Sequence, residues 1–186
     1  DIETLVSDIK YLIKLGCKKK SDIECTFPFK YVAPYTKDFP SLVSGYRADV
    51  YFGLSKKAAL SGCMNSVTAM DEYREQSFSA PLVQVHAIQK MLDIYGSAIY
   101  CPYASTVVRD MFKKVRWSSI NQPKQKQPIR DTFPERFAST KVMKHSNMQL
   151  GDSQIATGFE KLLRTSINAN GHKSVVGLYN EFAKTI

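Results

Sequence analysis

Apolar residues recur at helical intervals over most of the chain. Ile2, Leu5, Val6, Ile9, Leu12 and Ile13 fall on one stripe of a helix predicted over residues 1–15, and Gly16 supplies its stop. Lys18, Lys19 and Lys20 follow it, where the helix dipole favours cations. Ser21 and Glu24 form a capping-box pattern, but Pro28 is expected to close any helix that begins there. Ser55 predicts the cap of a helix over 56–74, with Ala59, Leu60, Cys63, Val67 and Met70 inward. Pro81 opens another, carried by Leu82, Val85, Ile88, Met91, Leu92 and Tyr95 as far as Gly96. Pro102 opens a third, with Tyr103, Val107, Val108, Met111, Phe112 and Val115 as its buried stripe. Near the end, Asp152 or Ser153 predicts a cap for a helix stopped by Asn170 and Gly171, and residues 174–184 form a last helix with Val175, Leu178, Tyr179 and Phe182 inward.

Two stretches break this pattern. Between residues 25 and 52, Phe27, Phe29 and Tyr31 alternate and eight aromatic residues are spaced among Pro28, Pro34 and Pro40. The spacing predicts extended chain sealing one side of a helical core, with a base-stacking platform as the functional alternative. Residues 117–150 carry Pro123, Pro128 and Pro134 and no apolar period, which predicts a long loop or arm. The fold class that follows is mainly α: a bundle of about six helices with an aromatic extended segment (25–52) and a basic loop or arm (117–150). One domain over residues 1–186 is expected, the arm joining helical parts 1–116 and 151–186.

Composition agrees with a folded chain. Its 186 residues are 44% hydrophobic and 23% charged, enough to bury a core unaided. No apolar run approaches the roughly eighteen residues of a membrane span, and no signal-peptide pattern opens the chain. Cys17, Cys25, Cys63 and Cys101 have no C-x-x-C spacing and read as reduced, mostly buried thiols. The expectation is a protein that is neither secreted nor membrane-embedded, located inside a cell or a virus particle.

Charge is distributed unevenly. The net charge is +9, and residues 113–145 hold nine Lys and Arg against Asp131 and Glu135, a local net of +7. Charges meant only for solubility serve equally well when spread out, whereas clustered cations bind a polyanion by releasing its counterions. Lys113, Lys114, Arg116, Lys124, Lys126, Arg130, Arg136, Lys141 and Lys144 are therefore candidate phosphate contacts. Trp117 joins them as a group that stacks on a base, although anchoring of the segment to its own core or to a neighbouring subunit is the commoner fate of such aromatics, and this applies equally to Phe133 and Phe137. Lys30 and Arg47 would add to a groove if the fold brings them near.

Signals for catalysis are sparse. His86, His145 and His172 have no metal-ligand spacing, and neither a Walker loop nor a dinucleotide fingerprint occurs. Asp71, Glu72 and Glu75 cluster on a helix, with only Asp71 and Glu75 sharing a face, and read as a solvated acidic surface. No cofactor or metal is expected. The reading is a non-enzymatic nucleic-acid-binding structural protein of nucleocapsid or coat type, holding single-stranded RNA and assembling with copies of itself. Two alternatives stand beside it. One is a DNA-binding regulatory module, with helix-turn-helix-like spacing over 11–24; the other is an enzyme whose site is assembled in space.

Overall fold

A computed structural model describes residues 1–52 and 66–139, together with Gly158 and Lys161. The described residues are mainly helical. The helices expected over 152–170 and 174–184, the Ser55 cap and Cys63 lie outside the described residues. The chain separates into two compact units, whose described residues are 1–42 and 82–99 in the first and 43–52, 66–81 and 100–139 in the second.

In the first unit, α1 (Ile2–Lys14) is capped by Asp1, whose carboxylate accepts from the Thr4 N–H at 2.8 Å. Gly16 ends it in the left-handed region (φ +112°). α2 (Lys20–Val32) follows, and Asp22 in its first turn accepts from the Lys18 and Lys19 amides. α5 (Val83–Asp93) closes the unit, and the turn after it bends at Gly96 (φ +71°). Leu5, Ile9 and Leu12 of α1, Ile23 of α2 and Ala87, Ile88, Met91 and Leu92 of α5 form one buried core. Burying each large side chain there stabilises by about 1.5–3 kcal/mol.

The aromatic segment departs from expectation. α2 continues through Pro28 to Val32, a 3₁₀ turn occupies Ala33–Thr36, and extended chain is confined to β1 (Ser41–Val43). A proline removes one N–H and crowds the preceding turn; the helix persists because Ile23, Glu24 and Thr26 are buried along it and its packing outweighs one lost bond. Phe27 and Tyr31, which read as alternating, are also helical i,i+4 neighbours, with ring centroids 5.3 Å apart. β1 pairs with β2 (Ala98–Tyr100) in a two-stranded sheet.

The second unit begins with α3 (Ala48–Phe52). α4 (Val67–Phe78) is capped by Ser66, whose hydroxyl accepts from the Ala69 N–H at 3.3 Å. The helix expected from Pro102 is divided into a 3₁₀ turn at Pro102–Ala104 and α6 (Thr106–Lys113), because Ser105 intervenes as a cap for Val108. Val107 is 79% and Met111 56% exposed, so the stripe expected to be buried reduces to the half-buried Tyr103, Val108, Phe112 and Val115. Tyr51 and Phe52 from the aromatic run are core residues here. Tyr51 lies 5.3 Å from Phe78 and 4.9 Å from Phe112, and Phe52 meets Phe112 edge-on at 5.6 Å.

The described part of the basic segment is not a structureless arm. It forms α7 (Trp117–Asn121), α8 (Gln127–Thr132) and α9 (Pro134–Ser139). Its prolines do prevent one long helix, but Pro128 and Pro134 stand in first turns, where a missing N–H is no loss. No helix among the described residues is long and apolar enough to cross a membrane.

Candidate nucleic-acid interface

The basic segment starts at the end of α6. Lys113 is its last residue, Lys114 its C-cap and Arg116 the N-cap of α7, so three cations share one tight turn, all exposed. That turn is held from beneath. Arg74 of α4, only 2% exposed, donates from Nη1 to the Val115 carbonyl at 2.9 Å, from Nη2 to the Phe112 carbonyl at 3.3 Å and from Nε to the Tyr51 carbonyl at 2.7 Å. Asp71, one turn earlier on α4, accepts from Arg74 at 3.1 Å and from the Trp117 N–H at 2.7 Å. Burial pushes the Arg74 pKa down, and the neighbouring Asp71 carboxylate opposes that shift. An open cleft of about 180 Å³ lies over this arrangement, lined by Arg74, Asp71, Glu75, Lys113, Lys114 and Arg116.

Trp117 does not face that cleft as a stacking surface. It is 8% exposed and packs on Met70 with Tyr73 alongside, so it anchors the segment to the unit and has no open face for a base. Ile120 and Asn121 are buried behind it, and Asn121 donates to the Phe52 carbonyl at 2.7 Å.

Beyond α7 the cations differ in what they touch. Lys124 and Arg136 are exposed. Lys126 has a left-handed backbone (φ 57°); its N–H donates to Asn121 Oδ1 at 3.1 Å, and its ammonium lies 3.4 Å from Asp49 and 5.5 Å from the Phe52 ring centre. Arg130 stacks over Phe137 at 4.7 Å and donates to the Gln125 carbonyl at 2.9 Å. Lys141 and Lys144 lie outside the described residues.

Lys30 and Arg47 are engaged elsewhere. The Lys30 ammonium pairs with the buried carboxylate of Asp8, and Arg47 donates to the carbonyls of Ser77, Phe78 and Ala80. Lys20, in the early lysine run, pairs with Glu24 at 3.0 Å.

Sequence reasoning missed the Asp71–Arg74 pair. Its i,i+3 spacing on one helix is a visible signal, but the carbonyls that Arg74 binds come from residues 23 positions earlier and 38 and 41 positions later, which no local pattern announces. Among the described residues no group of His, Cys, Asp and Glu is placed to hold a metal ion. Comparison of the chain with protein-family models, with curated proteins and with solved structures finds no match.

Proposed function

We propose that this chain is a non-enzymatic structural protein that binds nucleic acid through its basic segment and packages it by assembling with further copies. The observation that carries the reading is the local net charge of +7 over residues 113–145, with Lys113, Lys114, Arg116, Lys124 and Arg136 all exposed. Such a cluster suits a phosphate backbone and requires no base-specific contacts. Single-stranded RNA is the ligand we favour, because an aromatic-rich sequence with no clear recognition-helix signature suits single strands better than a duplex groove. In this reading the helical remainder packs against neighbouring copies and the basic segment follows the polymer.

Binding of labelled single-stranded RNA across a salt series tests the reading. Five phosphate contacts predict that log K falls against log salt with a slope of about −3.5, with little dependence on sequence. A slope near zero overturns the proposal. Strong preference for one duplex sequence would favour a regulatory DNA-binding module in its place.

A further inference from the structure

Basic residues within one segment need not contribute equally, and their surroundings separate them here. At the α6–α7 turn, Lys113, Lys114 and Arg116 project from a backbone fixed at both ends: the Phe112 and Val115 carbonyls are bound by Arg74, and the Trp117 amide is bound by Asp71. Farther along, the Lys126 ammonium is engaged by Asp49 and the Arg130 guanidinium by Phe137 and Gln125.

From this contrast we infer that the turn over residues 113–116 is a preformed phosphate seat, the main anchoring point for a nucleic-acid backbone, and that Arg74 is its positioning residue. The inference rests on the proposed function and narrows it to one place.

Electrostatics at the turn explain why Arg74 matters. The C-terminal end of a helix carries partial negative charge on its unpaired carbonyls, which repels a phosphate. The Phe112 carbonyl accepts from the Val115 amide at 3.2 Å and from Arg74, and Arg74 also binds the Val115 carbonyl just past the helix, so a phosphate approaching the cleft meets guanidinium and ammonium groups above carbonyls that are already bound. Of the two carboxylates lining the cleft, Asp71 is engaged by Arg74 and by the Trp117 amide, leaving Glu75 as the opposing charge. Because the turn is ordered before binding, less conformational freedom is lost when a phosphate docks.

The full-length chain and a labelled oligouridylate provide the test. Replacing Lys113, Lys114 and Arg116 together with alanine should reduce the magnitude of the salt slope by about 2 and weaken binding about 100-fold at 0.1 M salt, since each single-strand contact scales as roughly the 0.7 power of salt. Replacing Lys124, Lys126 and Arg130 together should reduce it by only about 0.7, the share of the exposed Lys124. Arg74→Lys keeps the charge but loses the fork, so binding should weaken about fivefold at an unchanged salt slope, a signature that removal of a phosphate contact does not produce. Should Arg74→Lys lose helical signal, amide exchange in the wild-type protein decides instead: the Trp117 amide is expected to be protected before any RNA is added. Equal losses from the two triple variants, or free exchange at the Trp117 amide, overturn the preformed seat while leaving the wider proposal standing. Absence of salt-dependent binding by the wild-type chain overturns both.

Discussion

Tyr31 donates its hydroxyl hydrogen to the carboxylate of Asp8, tying α2 to α1 across 23 residues of chain. Asp8 is buried, and Lys30 supplies its counter-charge while lying over the rings of Tyr11 and Tyr31. The hydrogen bond to Asp8 is the main reason that the Tyr31 pKa is pushed up from 10.0 to about 12.

A group whose pKa is raised by folding contributes its stability in full below its ordinary pKa and loses it as pH climbs through the folded value. The Tyr31–Asp8 bond should therefore support the first unit up to about pH 10 and fail between pH 10 and 12. Absorbance titration of phenolate should show a late-ionising tyrosine that Tyr31→Phe removes, and that variant should show a shallower loss of stability over the same interval.

Burial pushes the Cys17 thiol up to about 11. Thiolate is the reactive form, so Cys17 should be the last of Cys17, Cys25 and Cys101 to be alkylated near pH 8. Peptide mapping after timed labelling checks the order. Fast labelling of Cys17 would mean that the first core opens readily.

Trp117 is the only tryptophan in the chain, so its fluorescence reports one place. Its burial against Met70 predicts a blue-shifted emission that RNA leaves unquenched, because no base can reach the ring face. Trp117→Ala should destabilise the second unit by about 3–5 kcal/mol, measured by denaturant titration. Strong quenching on RNA binding would restore the stacking role considered from sequence.

Phe133 is 53% exposed, whereas Phe137 is half-buried beneath Arg130. If exposed aromatic surface on this segment joins neighbouring copies, Phe133→Ser should reduce assembly in sedimentation experiments with RNA present and leave helical content unchanged. Phe137→Ser should instead loosen α9 against α8. Unaltered assembly of the Phe133→Ser protein would remove this side chain from any contact between copies.

Features governed by neighbours in sequence were legible from it. The stripe of α1, the stops at Gly16 and Gly96 and the helical run Ile88–Met91–Leu92 all follow from local spacing and backbone freedom. Prolines were harder to read, because their effect depends on position. Pro28 lies inside a helix whose packing holds it, while Pro128 and Pro134 begin helices too short for any periodicity to register. For the candidate site, the location of the charge was legible and its tethering was not. Asp71 looked like part of a solvated acidic face, yet it holds the amide of Trp117, 46 residues away.

The split composition of the first unit has a consequence for the order of events on the ribosome. Gln84 and Asp22, which meet in that unit, are 62 residues apart, and Lys90 reaches the Leu15 carbonyl across 75. At about 5–20 residues per second, translation takes roughly 3–12 s to cover the shorter of these gaps. During that interval α1 and α2 have emerged without Ile88, Met91 and Leu92 to cover Leu5, Ile9 and Ile23. The apolar residues that α1 and α2 share with α5 therefore wait for a partner that is synthesised only after residues 43–81.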